Sequence, residues 1–346
     1  MRKKILAAIT AGLIAFAPFT AVNAMSRDQI ATIQVKKAKD FKFWSKNSVA
    51  KQKLIEFVTD ITDKKSKNYI PPEDRIATFD MDGTILGETL PYYFVCMLLV
   101  DRTLYDDTYT PTPDEKNYAI RLERFIYDRN TPDKPSDSSP YQMSIFKGMT
   151  PAEFEVYIKN FMQKPVKGLT NLKYGESFYL PMVEVIQYLQ SNGFKVYIVS
   201  GTERSLVRIL ACDALKLPTE QIIGTDIKIL AAHQGDIDGV NYTYRADDYI
   251  IRGEFEIKNL RMNKVARIFE EIGKQPVLAF GNSSGDAAML NYAINGNKYR
   301  SMSFFVICDD VDREFGNLKR AVNDKKLAED NNWVPISMKN DFKTIY

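Results

Sequence analysis

The sequence predicts a doubly wound α/β fold, a parallel sheet with helices on both faces, interrupted by one inserted helical unit. Four short β-rich runs, Arg75–Phe79, Lys195–Val199, Pro276–Phe280 and Phe304–Cys308, are continuous rather than alternating in polarity. Strands covered on both faces of a parallel sheet read this way. Helical patterns stand between the runs, and strands alternating with helices build such a sheet through crossover connections. More than a hundred residues separate the first two runs, far too many for one crossover, so residues 88–180 hold a separate unit.

Taken in order, residues 1–24 combine cations at Arg2, Lys3 and Lys4 with an apolar run from Ile5 to Ala17, then Val22 and Ala24 at the minus-three and minus-one positions of a cleavage site. This is the pattern of a cleavable export leader, cut after Ala24, and it predicts a periplasmic or secreted protein. The run falls short of the roughly 20 residues that span a bilayer, so no stable membrane anchor is expected. Residues 25–70 read as a helical segment ending in the polar stretch Lys64–Asn68 and the breaker Pro71-Pro72. Leu54, Ile55, Val58 and Ile61 share one helical face there, so the segment packs on the rest of the protein. In the insert, Phe94–Val100, Asn117–Tyr127 and a helix opened by the capping box Thr150–Glu153 are helical, while Asp128–Pro140 reads as an exposed loop. The helix Pro181–Asn192 carries Met182, Val185, Ile186 and Leu189 on one stripe and stops at Gly193. Asp236–Gly239 is the turn of a hairpin between Ile227–Leu230 and Val240–Tyr244. The division is thus 1–24 leader, 25–70 N-terminal segment, 71–87 and 181–346 core, and 88–180 cap.

Composition narrows the chemistry. The chain of 346 residues is 45% apolar and 26% charged, as ordinary folded proteins are. Lys and Arg number 47 against 44 Asp and Glu, so loss of the three leader cations leaves charge balance and no electrostatic case for nucleic acid. The single histidine, His233, excludes a multi-histidine metal site and reads as structural. Cys96, Cys212 and Cys308 are odd in number and lie among apolar residues, so they read as buried thiols. Chemistry on this chain falls to carboxylates.

Three strand ends carry them. Asp80-Met-Asp82-Gly83-Thr84 follows the first run. In an extended segment residues i and i+2 point the same way, so both carboxylates share the edge where ligands bind in open α/β sheets. Two carboxylates that close repel unless a cation lies between them. Ser200-Gly201-Thr202 ends the second run with a hydroxyl and free amides at a helix start, a seat for phosphate. Gly281-Asn282-Ser283-Ser284-Gly285-Asp286 ends the third, and Lys264 lies on the helix before it, with Val265, Ile268, Phe269 and Ile272 read as inward. Each element alone also serves as a helix cap, turn or solvated lysine; together, and in this order, they form a joint pattern.

That pattern resembles the haloacid dehalogenase superfamily, in particular its phosphoserine-phosphatase-like branch, over most of residues 71–346. The segment Trp44–Pro72 looks like the lead-in of exported bacterial members, and the cap-and-core layout is similar to that of periplasmic phosphorylcholine phosphatases. The resemblance implies a Rossmann-like core with a helical cap and an exported, Mg²⁺-dependent phosphatase acting on a small phosphorylated metabolite, phosphoserine-like or phosphorylcholine-like, through an aspartyl-phosphate. It implies Asp80 as nucleophile, Asp82 as general acid and base, Ser200 and the Gly201 amide on the phosphoryl oxygens, and Lys264 as the balancing charge. Mg²⁺ would be held by Asp80, the Asp82 backbone carbonyl and Asn282, with Asp286 mainly behind them. Many members carry Asp where this chain has Asn282, and an uncharged amide implies weaker metal binding than the Asp form. Glu88, six residues after Asp82, faces either a substrate cation, as a nearby glutamate does in phosphoserine phosphatases at one residue greater spacing, or only the N-terminus of a helix. Two competing readings stand beside this one: a dehalogenase or phosphonate hydrolase, which Asp82 disfavours because those branches generally lack the second Asp, and a secreted binding protein on an inactive hydrolase scaffold. The oligomeric state leaves no sign in the sequence.

Overall fold

A computed structural model of the protein describes residues 24–88, 91–128, 131, 133 and 135–346. The export leader, Ala24 apart, lies outside them. Seven strands form one sheet: β1 Ile76–Phe79, β2 Lys195–Glu203, β3 Ile222–Ala231, β4 Ile250–Ile257, β5 Leu278–Gly281, β6 Met302–Ile307 and β7 Val334–Ser337. Their order is β4-β3-β2-β1-β5-β6-β7, and every pairing is parallel except β3 with β4. The four predicted runs are β1, β2, β5 and β6. All four residues of β1 and of β5 are buried, which explains their unbroken apolar sequence. Phe79, Phe280 and Phe304 stack face to face across three adjacent strands.

Two strands, β4 and β7, escaped the sequence reading, which had β3 in part as the hairpin arm Ile227–Leu230. β7 is short and alternates in burial, and β3 and β4 form a hairpin whose return arm is Ile250–Ile257 instead of the expected Val240–Tyr244. The intervening loop is tied by Asp248, which accepts from the Tyr242 hydroxyl and the backbone amides of His233 and Arg245. These contacts hold Val240 and Tyr244 exposed. Asp248 also meets His233 Nδ1 at 3.0 Å, so the lone imidazole has a structural partner.

Phe94–Tyr105, Pro113–Tyr127 and Pro151–Met162 are the longest helices among the described residues of the insert, the last two opened by capping boxes at Thr112/Glu115 and Thr150/Glu153. The chain leaves and re-enters the core side by side, through a bridge between Leu86 and Phe178. All three cysteines are free thiols.

The N-terminal segment is helical only over Val49–Thr62, with one further turn at Arg27–Ile30; the expectation of helix through 25–70 fails because tertiary contacts hold the intervening chain extended. Glu184 accepts from Lys42 N and Phe43 N at 2.7 and 3.1 Å. Trp44 donates Nε1 to Pro181 O at 2.8 Å and meets Phe342 edge-on at 5.4 Å. Trp44 therefore clamps the helix Leu180–Ser191 to the C-terminal residues. Among the described residues no helix is long and apolar enough to cross a membrane.

Trp44→Ala should cost about 3–5 kcal/mol, read from urea denaturation. Burial raises Glu184 to about 7, its two backbone hydrogen bonds opposing. The folded pKa exceeds the unfolded one, so this carboxyl's contribution is present below about 4.5 and is lost as pH rises through about 7. Glu184→Gln should therefore flatten the stability profile over that window, measured as denaturation midpoints across pH.

Candidate active site

The DMDGT turn is built by local geometry. Asp80 N–H donates to Phe280 O at 2.9 Å, continuing the ladder one residue past β1. The amides of Ile85 and Leu86 both return to Met81 O at 2.9 Å. Gly83 takes φ +84°, and a Cβ there would lie 1.9 Å from Asn282 Nδ2 and 2.7 Å from Glu88 Cδ. Only glycine allows this approach.

Lys264 organises what surrounds it. Its ammonium is fully buried and donates to Asp80 Oδ1 at 2.6 Å, Asp286 Oδ1 at 2.7 Å and Val199 O at 2.6 Å. Burial lowers the Lys264 pKa, but the two carboxylates outweigh it and leave it raised. Burial, and then the Asp286 charge, pushes the Asp80 carboxyl above its ordinary value against the pull of Lys264. The helix carrying this lysine, Met262–Ile272, starts after Arg261 at φ +55° and ψ −124°, a strained backbone held by the bond from Arg261 N to Gly285 O at 2.9 Å. Of the residues expected inward on that helix, Val265 and Ile268 are, whereas Phe269 is 68% exposed because it lies toward solvent past the sheet.

Asp82 accepts from Thr202 Oγ1 at 2.6 Å on Oδ2, while its buried Oδ1 has no partner. Burial raises its pKa, with Thr202 opposing; a carboxyl held this way favours the protonated form needed of a general acid. Thr202 and Gly201 line the cavity above Asp80, but Ser200 is wholly buried beneath them, its Oγ accepting from Thr202 N at 3.0 Å. The expected Ser200 contact with phosphoryl oxygens therefore falls to Gly201 and Thr202.

Both oxygens of Asp286, expected mainly behind the metal donors, are engaged by protein groups: Oδ1 holds Lys264, and Oδ2 accepts from Asn282 N, Ser283 N and Ser283 Oγ at 3.0–3.1 Å. Glu88 is not a free partner for a substrate cation. It is 2% exposed and ion-paired to Arg320, whose Nη2 also donates to Asn282 O at 3.0 Å. Burial raises the Glu88 pKa, opposed first by Arg320 and then by hydrogen bonds that include the Asn282 amide. Asn282 is thus wedged between Gly83 and a carboxylate, where an amide donor suits and a second carboxylate would be repelled. The negative charge that position 282 lacks stands beside it on Glu88.

Asp80, Asn282 and the Asp82 carbonyl remain as hard oxygen donors. Among the described residues no three His, Cys, Asp or Glu side chains converge as a metal site, so an ion here would rest on mixed donors. Asp80, Asp82 and Asp286 face one lysine, and that local excess of negative charge, with the orphaned Asp82 oxygen, suits a hard dication. Above them opens a cavity of about 410 Å³ walled on the cap side by Tyr92, Tyr93, Tyr118 and Phe125. Thr202 and Arg320 belong to this centre and Lys258 to the cavity wall outside it, and sequence reasoning missed all three. Thr202 alone had a signal, its place in SGT.

The chain belongs to the haloacid dehalogenase-like hydrolase family, whose model matches residues 77–291. It is a hydrolase of that family. Among solved structures, a conserved protein of unknown function from Anaerococcus prevotii DSM 20548 shares the fold at 18% identity and a TM-score of 0.50, over 83% of this chain and 91% of that one. Cytosolic 5'-nucleotidase IIIB bound to cytidine aligns at 11% identity and a TM-score of 0.49, over 84% and 86%. A probable phosphoserine phosphatase from Vibrio cholerae aligns at 14% identity and a TM-score of 0.38, over 75% and 69%. No curated protein sequence matches the chain.

Asn282→Asp should destabilise the protein by about 1–3 kcal/mol in EDTA, since it sets a buried carboxylate against Glu88. Adding Glu88→Gln should recover part of that loss, and strictly additive effects in urea denaturation would contradict the contact.

Proposed function

We propose that the protein is an exported, Mg²⁺-dependent phosphatase that hydrolyses a small phosphomonoester through an aspartyl-phosphate. The observation that carries this reading is the division of labour between two carboxylates one residue apart: Asp80 is held by Lys264 with its other oxygen toward the cavity, and Asp82 is held by Thr202 with a raised pKa. An Asp80 oxygen attacks phosphorus as the bond to the leaving oxygen breaks, and Asp82 gives that oxygen its proton. Asp82, now ionised, takes a proton from water, whose oxygen attacks the phosphoryl group. Inorganic phosphate leaves and the Asp80 carboxylate is regenerated. The Gly201 amide and Thr202 bind phosphoryl oxygens, and Lys264 aims Asp80 and favours its ionised form against burial and the Asp286 charge, where a bound cation would add to it.

The donors described above fit Mg²⁺: Asp80, the Asp82 carbonyl and the Asn282 amide oxygen would hold it. Bound there, the ion supplies charge neutralisation between nucleophile and phosphate. Export rests on the leader pattern of residues 1–24. A small substrate is favoured because the cap side walls a cavity of about 410 Å³ over the carboxylates, a size that suits a metabolite better than a polymer.

Wild-type protein should hydrolyse p-nitrophenyl phosphate, and EDTA should abolish turnover until Mg²⁺ is restored. Asp80→Asn should lower kcat by several orders of magnitude in protein that remains folded at the assay temperature, as circular dichroism checks, although loss of one Lys264 partner lowers its thermal midpoint. Retention of more than about a tenth of the rate, under ~1.4 kcal/mol of barrier, excludes Asp80 as nucleophile.

A further inference from the structure

One cation at the cavity has no role in the chemistry above. Lys258, in the connection between β4 and the helix Met262–Ile272, is the one Lys or Arg on the cavity wall among the described residues, facing Asp80, Asp82, Glu88, Asp137 and Asp286. Lys264 and Arg320 lie behind the wall with their donors filled, Lys264 by three acceptors and Arg320 by Glu88, Asp324 and Asn282 O. Lys258 is different. Its ammonium donates to one hydroxyl, Ser139 Oγ of the cap, at 2.6 Å, and no carboxylate among the described residues lies within ion-pair distance. An ammonium has three donors and is seldom buried unpaired.

Its surroundings say which part of a substrate it meets. Burial lowers the Lys258 pKa, and the carboxylates that oppose it are Asp137 of the cap and Asp82. Asp82 is the carboxyl that faces a leaving oxygen, and Asp137 and Ser138 line the cap side of the chamber that receives a leaving group, with Ser139 buried beside them. Asp137 leaves the ammonium partly uncompensated, since its Oδ1 accepts from Ser139 N and Oγ at 3.1 and 2.8 Å. Lys258 therefore stands on the leaving-group side, at the seam of core and cap.

We propose that Lys258 is a specificity-determining residue that binds an anionic group, a carboxylate in the simplest case, carried by the leaving group of the phosphomonoester. The substrate class is then phosphorylated acids with a second negative charge a few atoms from the phosphate. The aromatic side chains Tyr92, Tyr118 and Phe125 on the same wall pack its carbon skeleton. With Glu88 neutralised by Arg320, a purely cationic leaving group such as choline meets the Lys258 ammonium at that seam, where Asp137, engaged by Ser139 through one oxygen, is the carboxylate beside it. This inference rests on the phosphatase reading and extends it to the substrate.

The test uses matched pairs with the full mature chain: 3-phosphoglycerate against glycerol 3-phosphate, and 4-carboxyphenyl phosphate against p-nitrophenyl phosphate. Wild-type KM should be about tenfold or more lower for the acid of each pair, the size of one charge-assisted hydrogen bond. Lys258→Met should erase that preference by raising KM for the acids alone, with kcat for p-nitrophenyl phosphate within about twofold of wild type, and Lys258→Arg should restore part of it. The arginine variant and the retained p-nitrophenyl phosphate rate separate loss of recognition from loss of fold. Turnover without preference for the acids, or an equal loss on both members of each pair, overturns the proposal, the second by assigning Lys258 to the phosphoryl group. No turnover of any probe by the wild type overturns the phosphatase reading and this proposal together.

Discussion

The buried ammonium of Lys264 is the contact on which the rest of the centre depends. It joins the ends of three strands that are distant in sequence: β1 through Asp80, β2 through the Val199 carbonyl and β5 through Asp286. A lysine is expelled from a protein interior unless its charge is matched, and here two carboxylates and a carbonyl match it. The same contact keeps Asp80 in a fixed orientation and fixes the Gly281–Asp286 loop, because Asp286 spends its other oxygen on Asn282 N and Ser283. Removing one partner strands the others in a low-dielectric site, which costs several kcal/mol when a buried pair is broken. The strained start of the helix at Arg261 is the local cost of delivering Lys264 to that point.

A second charge arrangement sits one layer outward. Arg320, from the helix Leu318–Asp330, neutralises Glu88 and holds the Asn282 carbonyl, so the C-terminal part of the chain buttresses the loop of β5 and the junction with the cap. Asn at position 282 looks like a loss of charge when read alone. Beside Glu88 it is the residue that avoids two buried carboxylates in contact. The two positions share one constraint.

The cap and core meet around a chamber whose polar features come from both. Asp80, Asp82, Gly201 and Thr202 form the core side, and Tyr92, Tyr93, Tyr118 and Phe125 the cap side. Lys258 bridges them through Ser139. The carboxylates therefore lie on short strand ends, whereas the opposite wall of the cavity lies on helices and connections of a kind that vary without disturbing a sheet.

The sequence by itself determined the parallel core, the insert and the order of the three strand-end motifs. These are local properties: continuous apolar strands, the capping box at Thr150, and a glycine at the sharp turn after Asp82. It also singled out Asp80, Asp82 and Lys264, because two of them follow β1 directly and the third lies on the helix before β5. Only the tertiary structure decided the roles of Ser200, Glu88, Asp286, Lys258 and Arg320, and the true return arm of the β3–β4 hairpin. Each depends on which partner arrives from far along the chain: Thr202 pins Ser200 beneath the cavity, Arg320 reaches Glu88 across 232 positions, and Asp248 ties the loop that keeps Val240–Tyr244 out of the sheet. The extended run around Trp44 is the same case, since its backbone is held by Glu184 and Asp341 and not by its own propensity. Local pattern sets what a residue is able to do, and the long-range pairing of buried charges and backbone groups selects which of those options is used.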